Sequence, residues 1–292
     1  MEQIFKRKKI VVSSLKKKTI MILSANAKIN LGLHITAKRP DGYHNLETIF
    51  YPIPLADDLE ILSPSATKET ELHLSGIPIE GATTDNLIIK AYHLVEQRFS
   101  LPPVSIYLHK NIPTGAGLGG GSSDATHTIK LLNQLFELKL TTVEQEKMVS
   151  QLGADCPFFV ENKPVYATGT GNLFTPLDFS LKGYYLLLVK PDVFVSTKAA
   201  FSRVRPQQST QDLPTLLKQS PTTWKESLRN DFETSVFSLY PSLLEIKEQL
   251  YKQGAVYASM SGSGSSIYGI FKENCEALTA NYAAHFCRSM PL

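Results

Sequence analysis

The chain has 292 residues, of which 42% are hydrophobic and 20% charged. That balance is globular and excludes disordered and collagen-like classes. No apolar run approaches the roughly 20 residues of a membrane helix. Three cysteines, Cys156, Cys275 and Cys287, are too few for a disulfide framework and lack zinc spacing, which points to a soluble protein of a reducing, cytoplasmic compartment. The net charge of +3 is uneven. Residues 1–20 carry +6, through Lys6, Arg7, Lys8, Lys9, Lys16, Lys17 and Lys18 against Glu2, so the remainder is −3. A basic arm of this kind suits an extension, a targeting segment, or an early start codon with Met21 as the first residue. The mildly acidic body argues against nucleic acid as the main ligand.

From Ser24 onward, Ala27, Ile29, Leu31 and Leu33 alternate with Lys28, Asn30, Gly32 and His34, the period of a half-buried strand. Arg39-Pro40-Asp41-Gly42 is a turn sequence, and 46–53 returns as the second strand of a hairpin. Short strands are expected at 57–62 and 71–74, a helix over 86–99, and a strand at 104–108. The clearest helix spans 122–136, with Ala125, Ile129, Leu132 and Phe136 on one face and Ser122 or Ser123 as its cap. Another, over 142–152, stops at Gly153. A second half begins near Pro164, with a strand at 184–189, a short helix over 196–204 and a polar loop over 206–221. Helices over 224–238 and 242–253 follow, then strands at 255–259 and 266–271 around a Gly-Ser turn, and a closing helix. Strands and helices mix without strict alternation, which predicts two α+β domains rather than a doubly wound sheet.

The strongest chemical signal is Pro113-Thr114-Gly115-Ala116-Gly117-Leu118-Gly119-Gly120-Gly121-Ser122-Ser123. Glycines this dense let a backbone curl with its N–H groups inward, and the helix that follows adds a positive end; both favour phosphate. No Gly-Lys-Ser/Thr follows, so this is not a Walker A loop. Gly115-x-Gly117-x-x-Gly120 satisfies the dinucleotide expression, but Asn111-Ile112-Pro113 separates strand from loop and no βαβ unit is evident. A nicotinamide oxidoreductase and an RNA-binding module stay open as other readings at this point.

The loop resembles that of the galactokinase, homoserine kinase, mevalonate kinase and phosphomevalonate kinase superfamily. Ala27-Lys28-Ile29-Asn30-Leu31, Arg39-Pro40-Asp41-Gly42-Tyr43-His44, Gly153-Ala154-Asp155-Cys156-Pro157-Phe158-Phe159 and Ser259-Met260-Ser261-Gly262-Ser263-Gly264 resemble the branch that phosphorylates 4-diphosphocytidyl-2-C-methyl-D-erythritol. The likeness implies an ATP-dependent kinase of non-mevalonate isoprenoid biosynthesis, transferring a phosphoryl group to the substrate's 2-hydroxyl. It implies a ribosomal-protein-S5-like N-terminal domain over 21–163 and a ferredoxin-like C-terminal domain over 164–292, residues 1–20 lying outside both, with the active site in the cleft between them. It further implies ATP with Mg²⁺ as cofactors and a small cytidylyl substrate as partner, with no nucleic acid, no membrane, and a monomer or weak homodimer as the working form.

Residue by residue, the resemblance makes Asp155 the general base, with Lys28 beside it stabilising the transferring phosphoryl group. Read alone, Lys28 and Asn30 suit a solvated sheet face, and Asp155 a turn carboxylate. ATP falls to the loop from Pro113 to Ser123, and also to Asn86 and Lys110; Asn86 reads equally as an ordinary helix start. Substrate falls to Asn30, Tyr43 and His44, the latter two on the cytosine, with Thr197, Phe201, Gly262 and Gly264. No carboxylate is assigned to Mg²⁺, which the phosphates would hold with help from Ser122 or Ser123. Thr126 stands where that family often has alanine, and Cys156 reads as a buried, inert thiol.

Overall fold

A computed structural model describes residues 19–65, 67–207 and 212–292. The basic arm and part of the expected 206–221 loop therefore lie outside the described residues. In chain order the elements are β1 (Thr19–Lys38), β2 (His44–Ser63), β3 (Glu71–Gly76), α1 (Leu87–Phe99), β4 (Ser105–Lys110), α2 (Gly120–Leu135), α3 (Thr142–Val149) and α4 (Phe158–Glu161). Then come β5 (Val165–Thr168), β6 (Leu173–Pro176), β7 (Tyr185–Lys190), α5 (Thr197–Phe201), α6 (Leu213–Leu217) and α7 (Trp224–Ser227). The chain continues with α8 (Phe232–Leu239), α9 (Pro241–Lys252), β8 (Tyr257–Met260), β9 (Ile267–Phe271) and β10 (Phe286–Pro291). Among the described residues no helix is long and apolar enough to cross a membrane.

The chain forms two compact units that interleave in sequence. The first gathers Ala56–Ile112 and Gly120–Glu161 with the start of β1; the second gathers Asn26–Leu55, Pro113–Gly119 and Asn162–Leu292.

In the first unit, Asp58–Leu62 of β2 pairs antiparallel with β4, and β4 pairs parallel with β3. A parallel pair needs a long crossover, here supplied by α1, so β3–α1–β4 is a βαβ unit that the sequence did not reveal. The glycine loop nevertheless leaves the second strand of that unit, and α2 leads into α3 and α4 rather than into a parallel strand. That connectivity does not support a dinucleotide fold. Ile88, Ala91 and Val95 of α1 and Ala125, Ile129 and Leu132 of α2 are buried with Leu59, Ile61, Ile106 and Leu108 of the sheet. The helical spacing of these apolar residues is what dictates both helices.

In the second unit, Thr48–Phe50 of β2 pairs with β5, which continues to β6. A separate four-stranded antiparallel sheet has the order β10-β7-β9-β8. Numbered by sequence within that sheet this is 4-1-3-2, with α8 and α9 packed on it through Phe232, Val236, Leu243, Ile246 and Leu250. The expected ferredoxin-like domain is thereby found.

Several boundaries differ from expectation. The strands read at 46–53 and 57–62 are one strand, β2. The helix read over 224–238 breaks at Leu228–Asp231, where Asn230 donates its side-chain amide to the carbonyls of Met260 (2.8 Å) and Gly262 (2.9 Å). The chain closes on strand β10, paired to β7, rather than on a helix.

Candidate active site

The glycine loop is shaped by three left-handed residues, Gly115, Gly117 and Gly119, at φ 59°, 75° and 70°. Between them Ala116 and Leu118 are buried and act as pegs. The loop is anchored entirely through its carbonyls. Ser266 N–H donates to Ala116 O (3.3 Å), Lys28 N–H to Leu118 O (2.9 Å), and both Ser261 Oγ (2.8 Å) and Lys28 Nζ (3.2 Å) donate to Gly117 O. Among the described residues, no backbone amide from Thr114 to Gly119 donates a hydrogen bond within the protein. A curl of unspent N–H groups entering a helix N-terminus is an anion cradle.

Lys28 is buried, not solvated as its strand position alone suggests. Its ammonium donates to Asn30 Oδ1 (2.7 Å) and lies 4.7 Å from the centroid of Phe50. Asn30 is in turn fixed from three sides. Its Nδ2 donates to Thr48 Oγ1 (2.9 Å), Tyr268 Oη donates to its carbonyl (2.7 Å), and its N–H donates to Ser261 Oγ (3.3 Å). That leaves Oδ1 aimed at the ammonium. Gly262 (φ 56°) comes against Gly117 backbone, where a Cβ would lie 3.3 Å from Gly117 O, and Gly264 (φ 91°) lies against Met260. The two glycine turns, Lys28 and Asn30 thus form one hydrogen-bonded cluster. Sequence reasoning missed Thr48, Phe50, Ser261, Asn230 and Tyr268, whose roles exist only once distant strands are adjacent.

Tyr43 and His44 leave the Pro-Asp-Gly turn as expected. Tyr43 N–H donates to Asp41 Oδ1 (3.1 Å), and the Arg39 guanidinium together with that amide holds the Asp41 carboxyl below its ordinary range. Tyr43 is 67% exposed. The His44 ring stacks on Phe201 at 4.5 Å between centroids, so no further ring fits between those two, and Tyr43 offers the open aromatic face. Thr197 is exposed at the start of α5, which Ser196 caps through the Ala199 N–H.

In the first unit, Asp155 is half-buried in the turn after α3. Cys156 N–H donates to Gly153 O (3.2 Å), and Thr126 Oγ1 lies 2.9 Å from both Ser122 O and Cys156 O. Thr126, the residue departing from the family pattern, is therefore what ties the Asp155 turn to the first turn of α2. Burial pushes the Cys156 thiol up to about 11, which leaves it unreactive at neutral pH. Ser122 and Ser123 are not caps, because α2 begins at Gly120. Ser123 Oγ instead bonds His127 Nδ1 (3.2 Å), and burial holds the His127 imidazole down near 4, so it is neutral. Asn86 caps α1 by accepting from Ile88 N–H (2.9 Å), which favours its helix-start reading.

Lys110, which the resemblance gives to nucleotide, has its buried ammonium held between Asp57 and Asp124. Desolvation, opposed by Lys110 and reinforced by Asp57, pushes Asp124 up to about 7. Among the described residues no cluster of His, Cys, Asp or Glu could hold a metal ion.

The chain is similar to known proteins. Residues 86–163 match the GHMP kinases N terminal domain and residues 213–285 the GHMP kinases C terminal domain. The 4-diphosphocytidyl-2-C-methyl-D-erythritol kinase of Bacteroides fragilis is 55% identical over 91% of this chain and 98% of its own length. The protein of that name from Bacteroides thetaiotaomicron is 56% identical over 86% and 92%. A solved 4-(cytidine 5'-diphospho)-2C-methyl-D-erythritol kinase superposes with a TM-score of 0.79 at 30% identity, covering 93% of this chain and all of that one. The Methanococcus jannaschii mevalonate kinase, at 14% identity and a TM-score of 0.69, shares the fold. Fold and glycine loop together define a small-molecule kinase of the GHMP class. Within that class, the chain belongs to the family of 4-diphosphocytidyl-2-C-methyl-D-erythritol kinases.

Proposed function

We propose that the chain transfers the γ-phosphoryl group of ATP to the 2-hydroxyl of 4-diphosphocytidyl-2-C-methyl-D-erythritol. The observation that carries this reading is the loop of 113–119, whose carbonyls at Ala116, Gly117 and Leu118 are spent on the protein and whose amides are left for an anion. ATP phosphates fill that cradle and Mg²⁺ enters with them. Lys28, held by Asn30 and Gly117, supplies a fixed positive charge for the transferring group, the electrostatic positioning that phosphoryl transfer chiefly requires. Asp155 accepts the proton of the attacking hydroxyl. Tyr43 stacks on the cytosine and His44, braced by Phe201, hydrogen-bonds to it; Thr197 and the Gly262–Gly264 turn line the same substrate. The kinase domains run over 21–163 and 164–292 in sequence, apart from 26–55 and 113–119, which belong to the second compact unit, and the enzyme acts in the cytoplasm as a monomer or weak homodimer.

Coupled ADP release from Mg-ATP tests the reaction. Release is expected with the cytidylyl alcohol and not with mevalonate or homoserine. Release with another alcohol would keep the kinase and reassign the acceptor pocket. Tyr43→Ala is expected to raise KM for the cytidylyl substrate by about tenfold, within the range of one base–aromatic stack, and to leave KM for ATP unchanged. Because the ring is exposed, the melting temperature should stay put. An effect confined to ATP would remove Tyr43 from the cytosine site.

A further inference from the structure

We propose that the buried triad Asp57–Lys110–Asp124 is a clamp that sets the span of the phosphate loop and so positions ATP, an inference that rests on the nucleotide reading of that loop. Lys110 is the last residue of β4, and Asp124 lies in the second turn of α2; the whole glycine loop runs between them. One ammonium joins the two flanks, donating to Asp124 Oδ2 at 2.8 Å and to Asp57 Oδ2. The other oxygen of Asp57 accepts from the backbone amides of Asn111 (2.6 Å) and Ile112 (2.8 Å), the last two residues before the loop. Asn111 adds a side-chain bond to Ala56 O (3.0 Å). Entry strand and exit helix are thereby held to one point, from β2.

The clamp leaves no slack. The three side chains are 0–4% exposed. A Cβ on Gly120, the first residue of α2, would lie 2.9 Å from Ile112 and 3.4 Å from the Lys110 ammonium. Two carboxylates share one cation, and Asp124 Oδ1 is buried without a partner. A buried charged cluster with an unpaired oxygen is a poor way to gain stability, since apolar side chains would fill the same space at lower cost. What it supplies is a fixed distance between the two ends of a glycine-rich loop. Displacements near 1 Å matter greatly in catalysis that works by positioning.

The test compares Asp57→Ala, Asp57→Asn and Lys110→Met in the full chain. It reads KM for each substrate by ADP release, the Kd of Mg-ATP alone by calorimetry, and Tm. Asp57→Ala and Lys110→Met are expected to raise Kd and KM for ATP by about tenfold or more, with KM for the cytidylyl alcohol essentially unmoved. Asp57→Asn keeps an oxygen for the two amides but turns an NH2 group toward the Lys110 ammonium, and should recover only part of the lost ATP affinity. A lower Tm with both KM values unchanged, or an equal rise in both, would overturn the clamp and leave a structural triad. If the severe variants do not fold, Asp124→Asn decides. It retains shape and an acceptor but loses charge, and should raise KM for ATP several-fold while sparing the alcohol; unchanged ATP affinity overturns the proposal. Failure of the unmodified enzyme to bind Mg-ATP would instead overturn the nucleotide reading itself, before any variant is made.

Discussion

Asp155→Asn is expected to lower kcat by about 10²–10⁴, the usual range for losing a general base, with the Kd of ATP unchanged. Asparagine has the shape of aspartate and still presents an oxygen, so the turn should survive. Several bonds hold that turn from the backbone and from the Thr126 side chain. Cys156 N–H bonds Gly153 O, Phe159 N–H bonds Cys156 O (3.1 Å), and the Thr126 hydroxyl reaches Cys156 O. What the substitution removes is proton affinity. Loss of turnover with intact ATP binding and intact Tm is therefore the signature of a chemical role, and single-turnover ADP formation beside calorimetry reads both. Near-normal turnover would take Asp155 out of the mechanism. A drop matched by weaker ATP binding would make it a nucleotide ligand instead.

Much of this site was legible in the sequence because its signals are local. The glycine loop, the Pro-Asp-Gly turn and the apolar faces of α1 and α2 each depend on neighbours a few residues away, and each lies where the pattern put it. The strands at 46–53 and 57–62 were read apart, although β2 runs through Pro52 and Pro54. They fall between the stretch of β2 that pairs with β5 and the stretch that pairs with β4, where a missing N–H costs neither of those ladders. Residues 228–231 were read as helix because a backbone propensity says nothing of Asn230 bonding two carbonyls 30 and 32 residues away. Lys110 gave no clue to its partners for the same reason: one lies 53 residues earlier and the other across the glycine loop. Its position beside the phosphate loop suggested a ligand contact, whereas burial made a bare ammonium there untenable without carboxylates.

A single methyl group on Gly117 is expected to be the most damaging small change in the chain. Gly117 sits at φ +75°, where a non-glycine residue costs about 1–3 kcal/mol, but that is the lesser effect. A Cβ there would lie 2.0 Å from Ser261 O, 2.9 Å from Ser261 C and 3.2 Å from Gly264 O. All three atoms are backbone, so no rotamer can relieve the overlap, and one of the two glycine turns has to move. Gly117 O is also the acceptor for both the Ser261 hydroxyl and the Lys28 ammonium, so displacing it removes one oxygen that holds Lys28 and loosens the tie to Asn30. Loop and ammonium lose their register together. Gly117→Ala is accordingly expected to cut kcat/KM for ATP by about 100-fold or more, with KM for the alcohol affected less and far-UV circular dichroism unchanged. Wild-type ATP affinity in that variant would mean that the backbone approach between Gly117 and Ser261 is dispensable, and that the loop finds its phosphate-binding shape without it.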